Sequence, residues 1–194
     1  MRNFTQLSNT AQSLSLSGTL NLINSTFIGA FTCSASGVLL STCNFYGTSN
    51  FTKTGTTSNY SAGGNQFFES ATINNNATNS AILRFATTSG DIYHSEVILN
   101  TNTGFIQLAY SDTNEFKGDI TINSSKVTFN NGNGIVQCTG GNAQEFGGSA
   151  AFVVGKLWMN KSTSTLTLQK AVTIDSLLTL TSGIVYTDST NLLT

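Results

Sequence analysis

The stretch NEFKGDITINSSKVTFNNGNGIVQCTGGNAQEFGG, Asn114 to Gly148, opens and closes on one phrase: a Phe followed two residues later by a Gly. The phrase spreads through the chain when an aromatic residue is taken as anchor and every second residue after it is read. The sets are Phe27, Gly29, Phe31, Cys33; Phe45, Gly47, Ser49, Phe51; Phe67, Glu69, Ala71, Ile73; Tyr93, Ser95, Val97, Leu99; Phe116, Gly118, Ile120, Ile122; and Phe146, Gly148, Ala150, Phe152. The first column is aromatic throughout, the second is mostly Gly, and the fourth is apolar throughout. A period of two marks a strand with one face buried. Recurrence every 18 to 30 residues marks a solenoid in which each repeat is one turn of the coil.

A second apolar stretch follows a Gly- or Asn-rich corner in several turns: GVLLSTC from Gly37, AILRFATT from Ala81, GFIQLAY from Gly104 and GIVQC from Gly134. Short strands joined by corners of Asn, Gly, Ser and Asp make the rungs of a parallel β-helix, Asn and Gly suiting the corners because they tolerate left-handed backbone angles. The expected fold is a single-stranded, right-handed parallel β-helix of about seven or eight rungs filling one domain, 1–194. Shorter-turn rungs are expected over 163–194, with Leu166, Leu168, Val172, Ile174, Leu178 and Leu180 inward. Stacking would place Phe27, Phe45, Phe67, Tyr93, Phe116 and Phe146 in one internal ladder with rings about 4.8 Å apart, the Gly column leaving them room. The rival architecture is an antiparallel β-sandwich, which also has many short strands but does not require one aromatic at the same place in successive repeats.

Composition agrees with continuous sheet. Only 9% of residues are charged and 39% are hydrophobic, with 13 Phe, so the chain folds but presents a neutral Asn, Thr, Ser and Gly surface. Proline, which lacks the N–H that a strand ladder needs, is absent. A net charge of -1 gives no electrostatic footprint for nucleic acid or anionic lipid. No apolar run is long enough to cross a bilayer as a helix. The start MRNFTQLSNTAQSLSLSG lacks an apolar leader core, and the end stops within an alternating pattern, so the chain reads as a segment of a longer one. Cys33, Cys43 and Cys138 have no metal-ligand spacing; Cys33 and Cys138 are expected as small core residues, with a Cys33–Cys43 disulfide left open.

Motifs for chemistry are sparse: GxSxG, HExxH and P-loop patterns are all missing. His94, the single histidine, alternates outward from Tyr93 and reads as a surface residue. Rung stacking should set His94 beside Lys117 and Glu96 beside Asp119. Two adjacent carboxylates suit Ca²⁺ binding or acid/base work on a polysaccharide, so Glu96 and Asp119 are weak candidates set against an ordinary surface charge cluster. An ice-binding array would need regular outward threonines, and the expected column Thr32, Asn50, Thr72, Ile98, Thr121, Ala151 is too broken to supply it. No metal and no cofactor are expected.

The segment LTLQKAVTIDSLLTLTSGIVYTDSTNLLT, Leu166 to Thr194, following repeats worded around Asn, Phe and Gly, resembles the β-solenoid repeat region of adhesin-like cell-surface proteins of Bacteroidetes type. Asp175-Ser176 departs from that wording, which often has Gly there; it reads as a corner variation. The resemblance covers most of the chain and implies export, an extracellular or cell-surface location, and a role as stalk, adhesin or filament, with no catalytic motif to carry over. The expected function is therefore a structural or adhesive, non-enzymatic solenoid segment. Its partners would be neighbouring repeats, copies of itself stacked end to end, or surface glycans. The alternative is a polysaccharide-acting β-helix lyase or glycoside hydrolase centred on Glu96 and Asp119.

Overall fold

A computed structural model describes residues 1–194, and every strand pairing in it is parallel. The chain is a right-handed parallel β-helix of about eight turns, with no helix. The sandwich alternative is excluded, because it requires antiparallel neighbours. Each turn visits three faces. The aromatic face is built from short strands such as Asn44–Phe45, Gln66–Phe67 and Ile92–Tyr93; the broad face from longer ones such as Ser49–Lys53, Ala71–Asn75 and Val97–Thr101; the third face from Asn59–Tyr60, Ile82–Arg84, Phe105–Gln107 and Val127–Thr128. Near the C-terminal end Phe152–Leu168 turns the corners without a break, which joins the first two faces into one 15-stranded sheet and leaves the third face as a 4-stranded one.

Register accounts for most of the repeat. Phe27 pairs with Phe45, Phe45 with Phe67, Phe67 with Tyr93 and Tyr93 with Phe116, so these five residues form one column. Their rings stack at centroid separations of 5.3, 5.2, 4.9 and 4.9 Å, with planes within 8° of parallel. All five are buried, and with 37 buried apolar residues the core is one continuous column along the axis.

The expected sixth ring is elsewhere. Phe116 pairs with Cys138, and Cys138 in turn with Met159, while Phe146 stands on the broad face beside Ile120. Phase was lost between Val127 and Gln144. There Val127–Thr128 belongs to the third face, and GIVQC, read as a second apolar stretch, supplies the aromatic face instead. The turn following Phe116 is therefore 22 residues, Phe116 to Cys138, and the apparent spacing of 30 disappears. Small Cys138 is tolerated because rings from the other faces fill the axis: Phe129 meets Phe116 edge-on at 6.3 Å and stacks on Phe152 at 6.1 Å, and Phe146 stacks on Phe152 at 4.8 Å. The same slip displaces the outward column, where Thr121 is followed by Gly147 and not by Ala151.

The six inward residues assigned to the C-terminal rungs do line the inner columns, with Leu166, Leu168 and Val172 buried. The continuous strands start earlier than 163, at Phe152. The three cysteines are buried free thiols, and the Cys33–Cys43 disulfide does not form. Cys33 faces inward from the broad face, between Leu14 and Phe51 in register, whereas Cys43 sits in the corner before the aromatic face.

Each corner is held differently. Between the aromatic and broad faces a Cβ on Gly47 would lie 2.5 Å from the carbonyl carbon of Gly29, and one on Gly29 2.5 Å from the carbonyl oxygen of Asn9. The Gly column therefore admits the backbone of the preceding rung; it does not make room for rings. Between the broad and third faces, buried Asn75 donates to the carbonyls of Ala81 and Phe105, both at 2.9 Å, and Thr101 Oγ1 donates to Gly104 at 2.7 Å. Between the third and aromatic faces runs a buried polar ladder: Cys43 N–H donates to Asn65 Oδ1, Asn65 N–H to Asp91 Oδ1, and Asp91 N–H to Asn114 Oδ1, at 3.1, 2.9 and 2.9 Å. Left-handed backbone angles occur at this corner on Asn24 and Gly64, as expected, but also on Thr42 and Asp112.

Candidate functional site

The candidate carboxylates are adjacent. Because Val97 pairs with Ile120, Glu96 and Asp119 occupy equivalent positions on successive rungs, at the entry to the broad face. Each carboxylate is used within the fold. Asp119 Oδ1 accepts the N–H of Glu145 at 2.7 Å, and Glu96 Oε1 accepts the Thr121 hydroxyl at 3.0 Å. No group of three metal-type side chains assembles around them. Both therefore supply acceptors to the rung that follows.

His94 lies beside Lys117, as the pairing of Tyr93 with Phe116 dictates. It is not an isolated surface ring. Tyr46, Phe68 and His94 form a second, outer stack with centroid separations of 4.3 and 4.4 Å and planes 8° apart. Partial burial, then the neighbouring Lys117 cation, holds the His94 imidazole below its usual value, with Glu115 opposing. Nε2 of His94 lies 3.3 Å from Gln66 Oε1, and the Lys117 ammonium lies 3.5 Å from Glu115. Rings stacked face to face present their edges to solvent. The column thus braces the rungs and is not a platform on which a sugar face could lie. The signal for it was in the sequence as the residue following each anchor: Tyr46 after Phe45, Phe68 after Phe67, His94 after Tyr93.

The broad face carries an outer amide ladder. Asn74 Nδ2 donates to Asn50 Oδ1 at 2.9 Å, Asn100 Nδ2 to Asn74 Oδ1 at 2.9 Å, and Asn123 Nδ2 to Asn100 Oδ1 at 2.8 Å. Asn74 and Asn100 share one register position, which Asn123 continues one rung on, so amides repeating at the strand spacing each donate to the one before; Asn50 stands opposite Thr72 in the neighbouring column, and Asn74 reaches it diagonally. Beside it the outward column Thr32, Asn50, Thr72, Ile98, Thr121 is mixed in shape and polarity.

Fold and surface together define a parallel β-solenoid whose outer side chains mainly brace one rung against the next. No protein-family model, curated protein or solved structure matches the chain.

Proposed function

We propose that the chain is a structural, adhesive segment of a secreted or cell-surface protein, a non-catalytic rod whose axis is extended by further parallel rungs. The observation that carries this reading is the state of the end rungs. Leu178 and Leu180 occupy inward columns over Leu157 and Met159, yet they are 38% and 62% exposed. At the other end Leu16, paired with fully buried Ala35, is 37% exposed. Val172–Tyr186 is hydrogen-bonded along one side by Phe152–Leu168, and its other edge already takes a parallel partner. There Val172 N–H donates to Leu192 O at 2.9 Å and Ile174 N–H to Thr194 O at 2.8 Å. An open edge with apolar inward residues is a template for another strand of the same kind. Rungs of the same polypeptide and rungs of a second copy satisfy it equally, and the resemblance to adhesin-like surface repeats points the same way.

Electron microscopy across a range of concentrations tests this. Filaments with an axial repeat near eight rungs, roughly 38 Å at about 4.8 Å each, are expected if copies supply the next rung; discrete rods are expected if the same polypeptide supplies it. Compact particles with no rod axis overturn the reading. Cleavage of a polysaccharide by the wild-type chain, lost in the Glu96→Ala, Asp119→Ala double variant, would replace it with an enzymatic one.

A further inference from the structure

The third face departs from the neutral character of the rest. Its outward column runs Tyr60, Arg84, Gln107, Thr128, with Phe105 and Lys126 alongside. The Arg84 guanidinium lies between two rings, 4.6 Å from the centroid of Tyr60 and 3.9 Å from that of Tyr110, and Nε donates to Gln107 Oε1 at 2.7 Å. With two rings against the guanidinium and Nε bonded to Gln107, the terminal nitrogens are the donors left for a ligand, reached edge-on in the plane of the group. That is the direction from which a carboxylate makes two parallel hydrogen bonds.

The protein supplies no such carboxylate. The four strands of this face contain no Asp or Glu. The nearest acid in sequence beyond Tyr110, Asp112, turns to the N–H groups of Thr113 at 2.8 Å and Gly90 at 3.5 Å, and the chain's one ion pair, Lys117–Glu115, is on the aromatic face. Lys126 adds a second cation, its ammonium bonded to the carbonyls of Asn102 and Thr103. Next to half-exposed Tyr60 is a hollow of about 230 Å³ lined also by Ile23, Leu39, Leu40 and Ala62, with Asn21 and Ser41. Its wall is mostly apolar, with Asn21 and Ser41 at its margin, and suits the C–H face of a sugar ring.

We propose that this face binds an acidic saccharide, with a uronate or sialate carboxylate on Arg84 and a further residue of the same saccharide reaching past Tyr60 to the hollow on the preceding rungs. The proposal rests on the adhesive reading above and names its ligand class. The test is titration of the intact chain, by calorimetry and by amide chemical shifts, with tetragalacturonate, its methyl ester and a sialyl trisaccharide. At about 5 mM ligand even a Kd of about 1 mM fills most sites. The free acids are expected to bind and the methyl ester to bind roughly tenfold more weakly or not at all, a comparison that needs no variant. Arg84→Gln should reduce binding by roughly tenfold to a hundredfold, and Arg84→Lys, which keeps the charge but loses the fork, by nearly as much. Circular dichroism confirms that the sheet persists in each variant. Absence of binding by every acidic sugar, equal binding of acid and ester, or wild-type affinity in Arg84→Gln overturns the proposal. So does tighter binding of a tetraglutamate peptide, which would make the face a receptor for acidic peptides. Rod shape in the microscope is read separately, so either reading can fail while the other stands.

Discussion

A single side chain, Asp91, is the point at which the fold departs from its own repeating logic. In the buried polar ladder Asn65 and Asn114 each offer an amide, whereas Asp91 offers a carboxyl whose Oδ2 is buried without a partner; the Tyr93 hydroxyl is likewise unpaired. Burial raises the Asp91 carboxyl to about 7 against the hydrogen bonds from Asn65. The folded chain thus keeps a proton that the unfolded chain releases near 3.8. This stability is fully present below about 4 and is lost as pH rises to about 7. Asp91→Asn supplies a neutral amide of the same shape, so it should flatten this part of the pH dependence. It should also raise stability at pH 8, on the order of 4 kcal/mol at most for a shift of about three units. Urea unfolding of both chains from pH 4 to 8 checks this, and a wild type that gains stability relative to the variant over that window sinks the idea. Gly47→Ala is expected to cost about 2 kcal/mol, because the new methyl group meets the Gly29 backbone and no flexible side chain can give way.

At the scale of an element, the aromatic face carries two columns of rings that differ in their surroundings. Phe67 belongs to the inner ladder and is buried, stacked between Phe45 and Tyr93; Phe68, the next residue, belongs to the half-buried outer stack between Tyr46 and His94. Truncating Phe67 to Ala leaves a cavity in a column that cannot collapse and should cost about 3–5 kcal/mol. Phe68→Ala should cost about 1–2 kcal/mol, since solvent already reaches the ring. Equal losses in thermal unfolding would show that the outer stack bears as much of the fold as the inner one. The inner ladder was legible because one residue type recurs at one phase of the alternation. The outer stack is harder to see because three different residue types, Tyr46, Phe68 and His94, share its column.

For the whole molecule, stability resides in the axial ladder. The chain has 107 backbone–backbone hydrogen bonds and one ion pair, Lys117–Glu115, which is partly exposed. Exposed pairs contribute little and are screened by salt, so the melting temperature should move by less than about 2 °C between about 0.05 and 0.5 M NaCl. A larger shift would mean that charges outside this pair matter. The open end can be tested at the same scale. Leu180→Lys, at a position 62% exposed, should leave the fold intact and abolish any concentration-dependent association seen by sedimentation. Association that survives it is not end to end through this rung.

The parallel β-helix, the first five rings of the expected six-ring ladder, Phe27 to Phe116, and the adjacency of Glu96 with Asp119 were legible in the residue order alone. A period of two and a turn-length recurrence are local properties, and stacking converts them directly into columns. Three features arise only when the rungs stack. Phe146 leaves the ladder, because inward rings from any face compete for the same axial volume, and a wording repeat cannot say which face a strand has reached. The Gly column answers to the backbone of the rung before it, a neighbour 18 residues away at Gly29 and Gly47. Arg84 acquires two tyrosine faces from residues on either side of it in the chain, 60 and 110, which no spacing in the sequence pairs. Local alternation sets which side of a strand is buried; the length of each corner, variable and unpatterned, sets which residues meet.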